Sequence, residues 1–460
     1  MTTGERAVLA SRWWLGLAIT VAVATAPRVA WFATHPVELS PDTFGYLNVA
    51  REWRGLAQPH EWDAKAHLPA DNQAARTPGY PILLNIIFAL SGHSASPPDV
   101  VDRMGLRGAG SRHLAHLSTD ENVRAVHAVQ VVLGITAAGI AFALLFRWTQ
   151  GLVVSCVGAL LAVGLNPQWI VVFEPAVLTE ITSAWLLLAI VGIVSRERAN
   201  RLRDLIVSGA CGYAVLVRPP MIFAVAPVLV FLIWTRDQNL KSRAAILGPA
   251  LGLVVSLVVF NGLRYGYWGV TSAAGAFMLT HARAHPEALR EPIRETAVRF
   301  KNSLFIGQST LTALNEQRQP YLESAKQVQA AALHFILDHP LLYVRSVVPA
   351  GVEFWSPNVR MFPADLNIVR AHSLFLWYTI VALESVLTML SVGVFVWPVA
   401  PTARLAASIF IVSSIGVALT AGGEIRRYAM PVEPLRLMCG VQVACLLAQR
   451  GNRTQPRPLE

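Results

Sequence analysis

The chain has 460 residues, of which 54% are hydrophobic and 14% charged, with a formal net charge of +10. It is too apolar and too poor in charge for a water-soluble globule, and apolar runs able to cross ~30 Å of hydrocarbon recur from end to end, so it reads as an all-α polytopic membrane protein. The basic excess does not point to nucleic acid: Arg and Lys gather in "RERANRLR" (196–203), "RDQNLKSR" (236–243) and the tail "QRGNRTQPRP", the positive-inside pattern of short loops between apolar runs.

The first run, from Trp13 to about Ala33, follows Arg6 and Arg12 and lacks a small-residue cleavage site. It reads as a retained signal-anchor helix with its N-terminus in the cytoplasm, which puts a first external loop at 34–76. Within that loop "SPDTFGYLNVAREW" (40–53) predicts a short helix capped by Ser40, with Pro41 at its first position and Asp42 in its first turn. Asp42, Tyr46 and Ala50 then share one face, and Phe44, Leu47 and Trp53 are available to lie on the membrane. Asp42 either complements the helix dipole or does chemistry, and this stretch alone does not separate the two. "ARTPGYP" (75–81) puts Arg76 at the mouth of the next run, where an arginine is either a snorkelling anchor or a ligand. Residues 93–124 are polar again. Runs follow near 125–146, 151–165, 177–195, 204–217, 221–234 and 244–263. Parity demands an even number of crossings between the N-terminus and 196–203, yet five runs lie between them. One of them, either 80–92 or 151–165, should not span.

"FEPAVLTEITSAW" (173–185) carries Glu174 and Glu180, the latter placed as a first-turn residue after Thr179. In "VLVRPPMIF" (215–223), Arg218 lies midway between two basic loops, and the paired prolines turn the chain on the far side or within the membrane. A cation at such depth costs ~2.5 kcal/mol or more unless it is paired or faces water. The run at 244–263 delivers a long external amphipathic region, 264–372, in which "HARAH" spaces His281 and His285 four apart without a nearby carboxylate to complete a metal site. Three more runs, near 373–397, 404–421 and 430–448, return the tail to the cytoplasm. Before the last of them, "GGEIRRYAMPVEP" (422–434) sets Glu424, Arg426, Arg427 and Tyr428 on the side opposite to the positive-inside charge. The planar fork of arginine suits phosphate oxygens, and a neighbouring acid can hold that fork in place. Cys156, Cys211, Cys439 and Cys445 all sit in apolar runs without metal-ligand spacing, so neither a disulfide nor a zinc site is expected. Arginines at three separated places, with acids in the first loop, describe a site for a lipid phosphate.

Set in order, "PDTFGYLNVA", "RTPGYPILL", "LTEITSAWLLLAI", "LVRPPMIFAVAPVLV", "FNGLRYGYWGVTSAAGAF", "HPLLYVRSVVPAGVEFWSP" and "EIRRYAMPVEPL" resemble the GT-C superfamily glycosyltransferases, related to the polyprenyl-phosphate-mannose protein mannosyltransferases and the lipid A aminoarabinose transferases. The resemblance implies one transmembrane domain, 1–460, a bundle of about 10 to 12 membrane helices with external amphipathic helices. It also implies inverting sugar transfer from a polyprenyl-phosphate sugar to a lipid, glycan or protein acceptor at the external, periplasmic face of a bacterial inner membrane. Asp42 maps to the family's catalytic base, and Arg76, Arg218, Arg426 and Arg427 to its donor-phosphate ligands, supported by Tyr46, Glu174, Glu180, Glu424 and Tyr428. The family often has an acidic pair in its first loop. Here Thr43 follows Asp42, so no cofactor is implied with certainty, and a divalent cation stays open. The competing reading is a secondary transporter of an anionic or sugar-bearing molecule, which would show matched broken helices in two repeated halves. No such repeat is visible in the sequence.

Overall fold

The computed structural model describes residues 3–54, 76–92, 100–102, 116–196, 200–235, 240–303, 306–316, 321–356, 374–397, 399–420 and 425–453. Nearly all of them are helical, as only helices satisfy every backbone group of a segment within lipid. In chain order come α1 (Thr3–Thr34), strand β1 (Val37–Leu39), α2 (Pro41–Trp53), α3 (Gly79–Ser91), β2 (Val100–Asp102), β3 (His116–Ser118), α4 (Glu121–Thr149) and α5 (Leu152–Ala159). The bundle continues with α6 (Thr179–Val194), α7 (Arg201–Val217), α8 (Met221–Thr235) and α9 (Leu240–Tyr265). Short helices α10 (Ala274–Leu279), α11 (Ile293–Arg299), α12 (Ile306–Glu316) and α13 (Tyr321–Asp338) follow, then α14 (Pro340–Trp355), α15 (Leu374–Val392), α16 (Pro401–Thr420), α17 (Ile425–Ala429) and α18 (Glu433–Arg453). Among the described residues five helical segments are long and apolar enough to cross a membrane, and the chain is an integral membrane protein.

The run at 151–165 proves longer than its sequence suggests. After α5 the backbone widens into π-helical turns at Leu160–Gly164 and Gln168–Phe173, so that Leu152–Phe173 makes 22 residues of spanning length. The short member is α3, whose 13 residues rise only ~20 Å before Gly92 ends it in the left-handed conformation. Strand pairing settles the parity independently. β1, before α2 and α3, pairs antiparallel with β3, after them, and β3 pairs with β2. Residues 37–39 and 116–118 therefore lie on one side of the membrane, and α3 does not cross. The backbone of Glu38 also meets Pro175 and Ala176, which places the end of the π-helical segment on that same side.

The opposite side is fixed by side chains. Arg147 near the end of α4 reaches Ser195 after α6 at 3.2 Å, and Trp148 donates to Thr402 at the start of α16 at 3.0 Å. α4, α6 and α16 thus share one far-side level, and the start of α6, the end of α7 and the end of α16 all point back to the side that holds the sheet.

Helices α10 to α13 enclose a second, separate core built on Leu279, Ile293, Leu314, Val328 and Phe335. The next helix, α14, joins the two cores: Leu342 and Tyr343 near its start pack on the second one, while Phe354 and Trp355 at its end lie against Phe410 in the middle of α16. Phe44 and Leu47 also depart from expectation, since they are buried rather than laid on the membrane, and only Trp53 of that trio is exposed. α2 packs against α3, and those two side chains belong to the main core of the bundle.

Candidate active site

Asp42 is placed by the start of α2. The amide of Thr43 donates to the Ser40 hydroxyl at 3.3 Å and the amide of Ser40 donates to the Thr43 hydroxyl at 3.0 Å, a reciprocal cap with threonine in the third position. Pro41 supplies the first helical φ, which fixes where the Asp42 carboxylate emerges.

Arg76 comes to Asp42 on a docked turn. The hydroxyl of Thr77 donates to the carbonyl of Val217, and the hydroxyl of Tyr213 donates to the carbonyl of Gly79 at 2.9 Å. A side chain at Gly79 would drive into the backbone of Leu216 and Val217, so glycine is needed for this close approach. Gly45 does the same for Arg76, because a Cβ there would stand 2.8 Å from its Nε. The guanidinium lies over the Tyr46 ring at 5.1 Å, and that ring meets the edge of Tyr80.

Arg218 ends α7, and Pro219 and Pro220 turn the chain directly after it. Its Nη1 donates to Glu180 at 2.8 Å and to Thr179 at 3.1 Å, its Nη2 donates to the carbonyl of Arg427 at 3.2 Å, and its charge sits over the Tyr428 ring at 4.8 Å. Arg427, on α17, donates from Nε to Glu180 and from Nη1 to Asp42 Oδ2, while Arg76 donates to Asp42 Oδ1 at 2.5 Å.

The result is one chain of alternating charge, Arg76, Asp42, Arg427, Glu180, Arg218. It is assembled from five elements between 34 and 385 residues apart. It also has a gradient of access. The side chains of Asp42, Arg76 and Arg427 are 26%, 18% and 15% exposed, while those of Arg218 and Glu180 are 6% and 0%. Burial alone would push the Asp42 carboxyl up, but the charges and hydrogen bonds of Arg76 and Arg427 outweigh it and hold Asp42 well below the usual carboxylate range. Two cations at the open end can meet an anion, and one carboxylate at that end can meet a hydroxyl.

The other predicted residues divide. Tyr46 and Tyr428 flank the cations as described. Glu174 does not join the chain: it is buried against Arg28 of α1 at 2.8 Å, and Arg28 also donates to the carbonyls of Val163 at 3.0 Å and Gly164 at 2.5 Å. Those carbonyls border the π-helical turn, so the pair braces a break in the bundle. Glu424 and the side chain of Arg426 fall outside the described residues. Arg28 escaped the sequence reading, although an arginine inside an apolar run together with an acid inside another is the signal of a buried pair. Among the described residues no group of three His, Cys, Asp or Glu side chains comes together as a metal site. His281 instead meets Ser346 at 3.0 Å, with its pKa pushed down to about 4 by burial.

Residues 112–261 match the family model described as dolichyl-phosphate-mannose-protein mannosyltransferase. That stretch carries Glu174, Glu180 and Arg218, and the match bears out the resemblance to GT-C glycosyltransferases. No curated protein matches the chain. Among solved structures, the chain is similar to the archaeal oligosaccharyltransferase AglB from Archaeoglobus fulgidus, in complex with an inhibitory peptide and a dolichol-phosphate, at 9% identity and a TM-score of 0.45. That likeness covers 99% of this chain and 53% of the archaeal protein, so the chain spans about half that protein's length. ArnT from Cupriavidus metallidurans, bound to undecaprenyl phosphate, is similar at 14% identity and a TM-score of 0.35, over 100% of this chain and 82% of that one. The apo form of the same protein gives 15% and 0.33, over 96% and 79%.

Proposed function

We propose that the chain is an inverting glycosyltransferase that moves a hexosyl or pentosyl group from a polyprenyl-phosphate donor to a lipid, glycan or protein acceptor. The observation that carries this reading is the alternating chain itself: its open end offers two arginines and one carboxylate, and its closed end holds them in place. The family match over 112–261, whose description names a dolichyl-phosphate-mannose donor, supports the same donor class.

Asp42 takes the proton of the acceptor hydroxyl as the oxygen forms its bond to the anomeric carbon. On the opposite face the carbon–oxygen bond to phosphate breaks, and its electron pair leaves with the phosphate, which Arg76 and Arg427 receive. Glu180 is unsuited to be the base, because it is fully buried and two arginines share one of its oxygens. Within a single transmembrane domain of 1–460, the 34–76 loop would serve as the catalytic loop. The sheet side would be the external, periplasmic face of a bacterial inner membrane, since the basic segments 196–203 and 236–243 follow helices that end on the other side. The test is to incubate purified protein with a panel of polyprenyl-phosphate sugars and follow release of polyprenyl phosphate. Release that requires an acceptor supports the reading, and no release from any donor sinks it.

A further inference from the structure

Both oxygens of Asp42 are held by the two arginines that a donor phosphate would need. A base and a phosphate site that share their cations cannot be independent. We propose that Arg427 is handed from Asp42 to the leaving phosphate during transfer, and that Glu180 is the positioning residue that keeps Arg427 anchored while this exchange takes place. The proposal rests on the functional reading above and adds to it how the base is released.

The geometry gives each edge of Arg427 a different neighbour. Nε goes to Glu180, which is fully buried and held from the other side by Arg218 at 2.8 Å, so this contact is fixed. Nη1 goes to Asp42, which is the most exposed member of the chain. A planar guanidinium can keep one edge in place while the other trades one oxygen for another, and an ammonium cannot. The charges run the same way. A phosphodiester donor carries one negative charge and Asp42 another. After transfer the phosphate monoester carries close to two and the protonated Asp42 carries none. The total is unchanged, but the charge moves from the carboxylate to the phosphate, and Arg427 lies where it can follow. Such sharing explains how a carboxylate so firmly paired can serve as a base: an anion arriving on Arg76 and Arg427 weakens their hold on Asp42, and so raises its affinity for a proton.

Glu180→Gln separates anchoring from binding. It removes a buried negative charge beside the site, which offsets the closer engagement of Arg427 with Asp42, so undecaprenyl phosphate should bind within about threefold of wild type. Arg427, relieved of its buried acid, should turn wholly to Asp42, and kcat should fall by roughly a hundredfold. Because a buried acid is being changed, Arg427→Lys serves as the second variant. It keeps the charge, should hold undecaprenyl phosphate affinity within about threefold, and should lose kcat to a similar extent, since one ammonium cannot span Glu180 and Asp42. Loss of affinity and kcat by the same factor in the folded variants, or unchanged kcat in either, would overturn the exchange while leaving the glycosyltransferase reading intact. Wild-type protein that transfers no sugar from any donor would overturn both.

Discussion

Arg218 and Arg427 look equivalent as cations in their motifs, yet the structure separates their roles, and alanine at each should fail differently. Arg218 is 6% exposed and ties Glu180, Thr179 and the Arg427 carbonyl together. Removing it takes a buried charged donor from three acceptors at once, and at ~1.5–3 kcal/mol for a hydrogen bond involving a charged group the loss reaches ~3–5 kcal/mol. Arg427→Ala is gentler on the fold, because Glu180 keeps Arg218 at 2.8 Å and Asp42 keeps Arg76 at 2.5 Å. Its loss falls on turnover instead: one charge-assisted bond to the transition state, ~1.5–3 kcal/mol, is roughly ten- to a hundredfold in rate. Thermal unfolding in detergent, followed by intrinsic fluorescence, and release of polyprenyl phosphate measure the two quantities on one preparation. Arg218→Ala should lower the melting temperature by several degrees and lose activity with it, whereas Arg427→Ala should melt near wild type and turn over poorly. The reverse order, a stable Arg218→Ala and an unstable Arg427→Ala, would refute the gradient from buried floor to open mouth.

Three more outcomes follow from single contacts. Gly45→Ala should displace Arg76 and raise the donor KM by about three- to tenfold with little change in melting temperature, because the new methyl meets the far end of a flexible side chain. Arg28→Met should destabilise the protein by ~3–5 kcal/mol in unfolding experiments by leaving buried Glu174 unpaired, while Arg28→Met with Glu174→Leu should recover most of the loss and keep turnover in the folded fraction. If α3 does not cross, cysteines introduced at Pro36 and Asp120 in a cysteine-free background should label with an impermeant reagent from the same side, and one at Asn200 from the other; opposite labelling of 36 and 120 would show that α3 spans.

Much of the site was legible because its parts are local signals. Ser40 and Pro41 announce a helix start, Arg218 announces itself by charge at an apolar depth, and Arg427 by standing against the positive-inside bias. What joins them was not legible. That Glu180 closes the chain between Arg427 and Arg218 depends on three helix ends meeting, and its position after Thr179 resembles any acidic first turn. Glu174, only six positions earlier, looked equally suited and went to Arg28, a partner 146 residues away. The crossing of α5 was hidden because its segment continues, through π-helical turns on either side, past Asn166 and Pro167, where the hydropathy falls and a proline suggests a stop. The strand pairing that fixes the side of α3 rests on three residues per strand, too short for any period to show.

The central claim is that Asp42 is the base of a sugar transfer, and Asp42→Asn tests it most directly when turnover and undecaprenyl phosphate affinity are measured together. Asparagine keeps the size of the side chain and the helix start but cannot take a proton. Turnover should fall by about a hundredfold or more. Lipid-phosphate affinity should hold or improve, since Arg76 and Arg427 lose a competing anion. An Asn variant that turns over within a few-fold of wild type would reduce Asp42 to a helix-start residue paired with two arginines and would contradict the account.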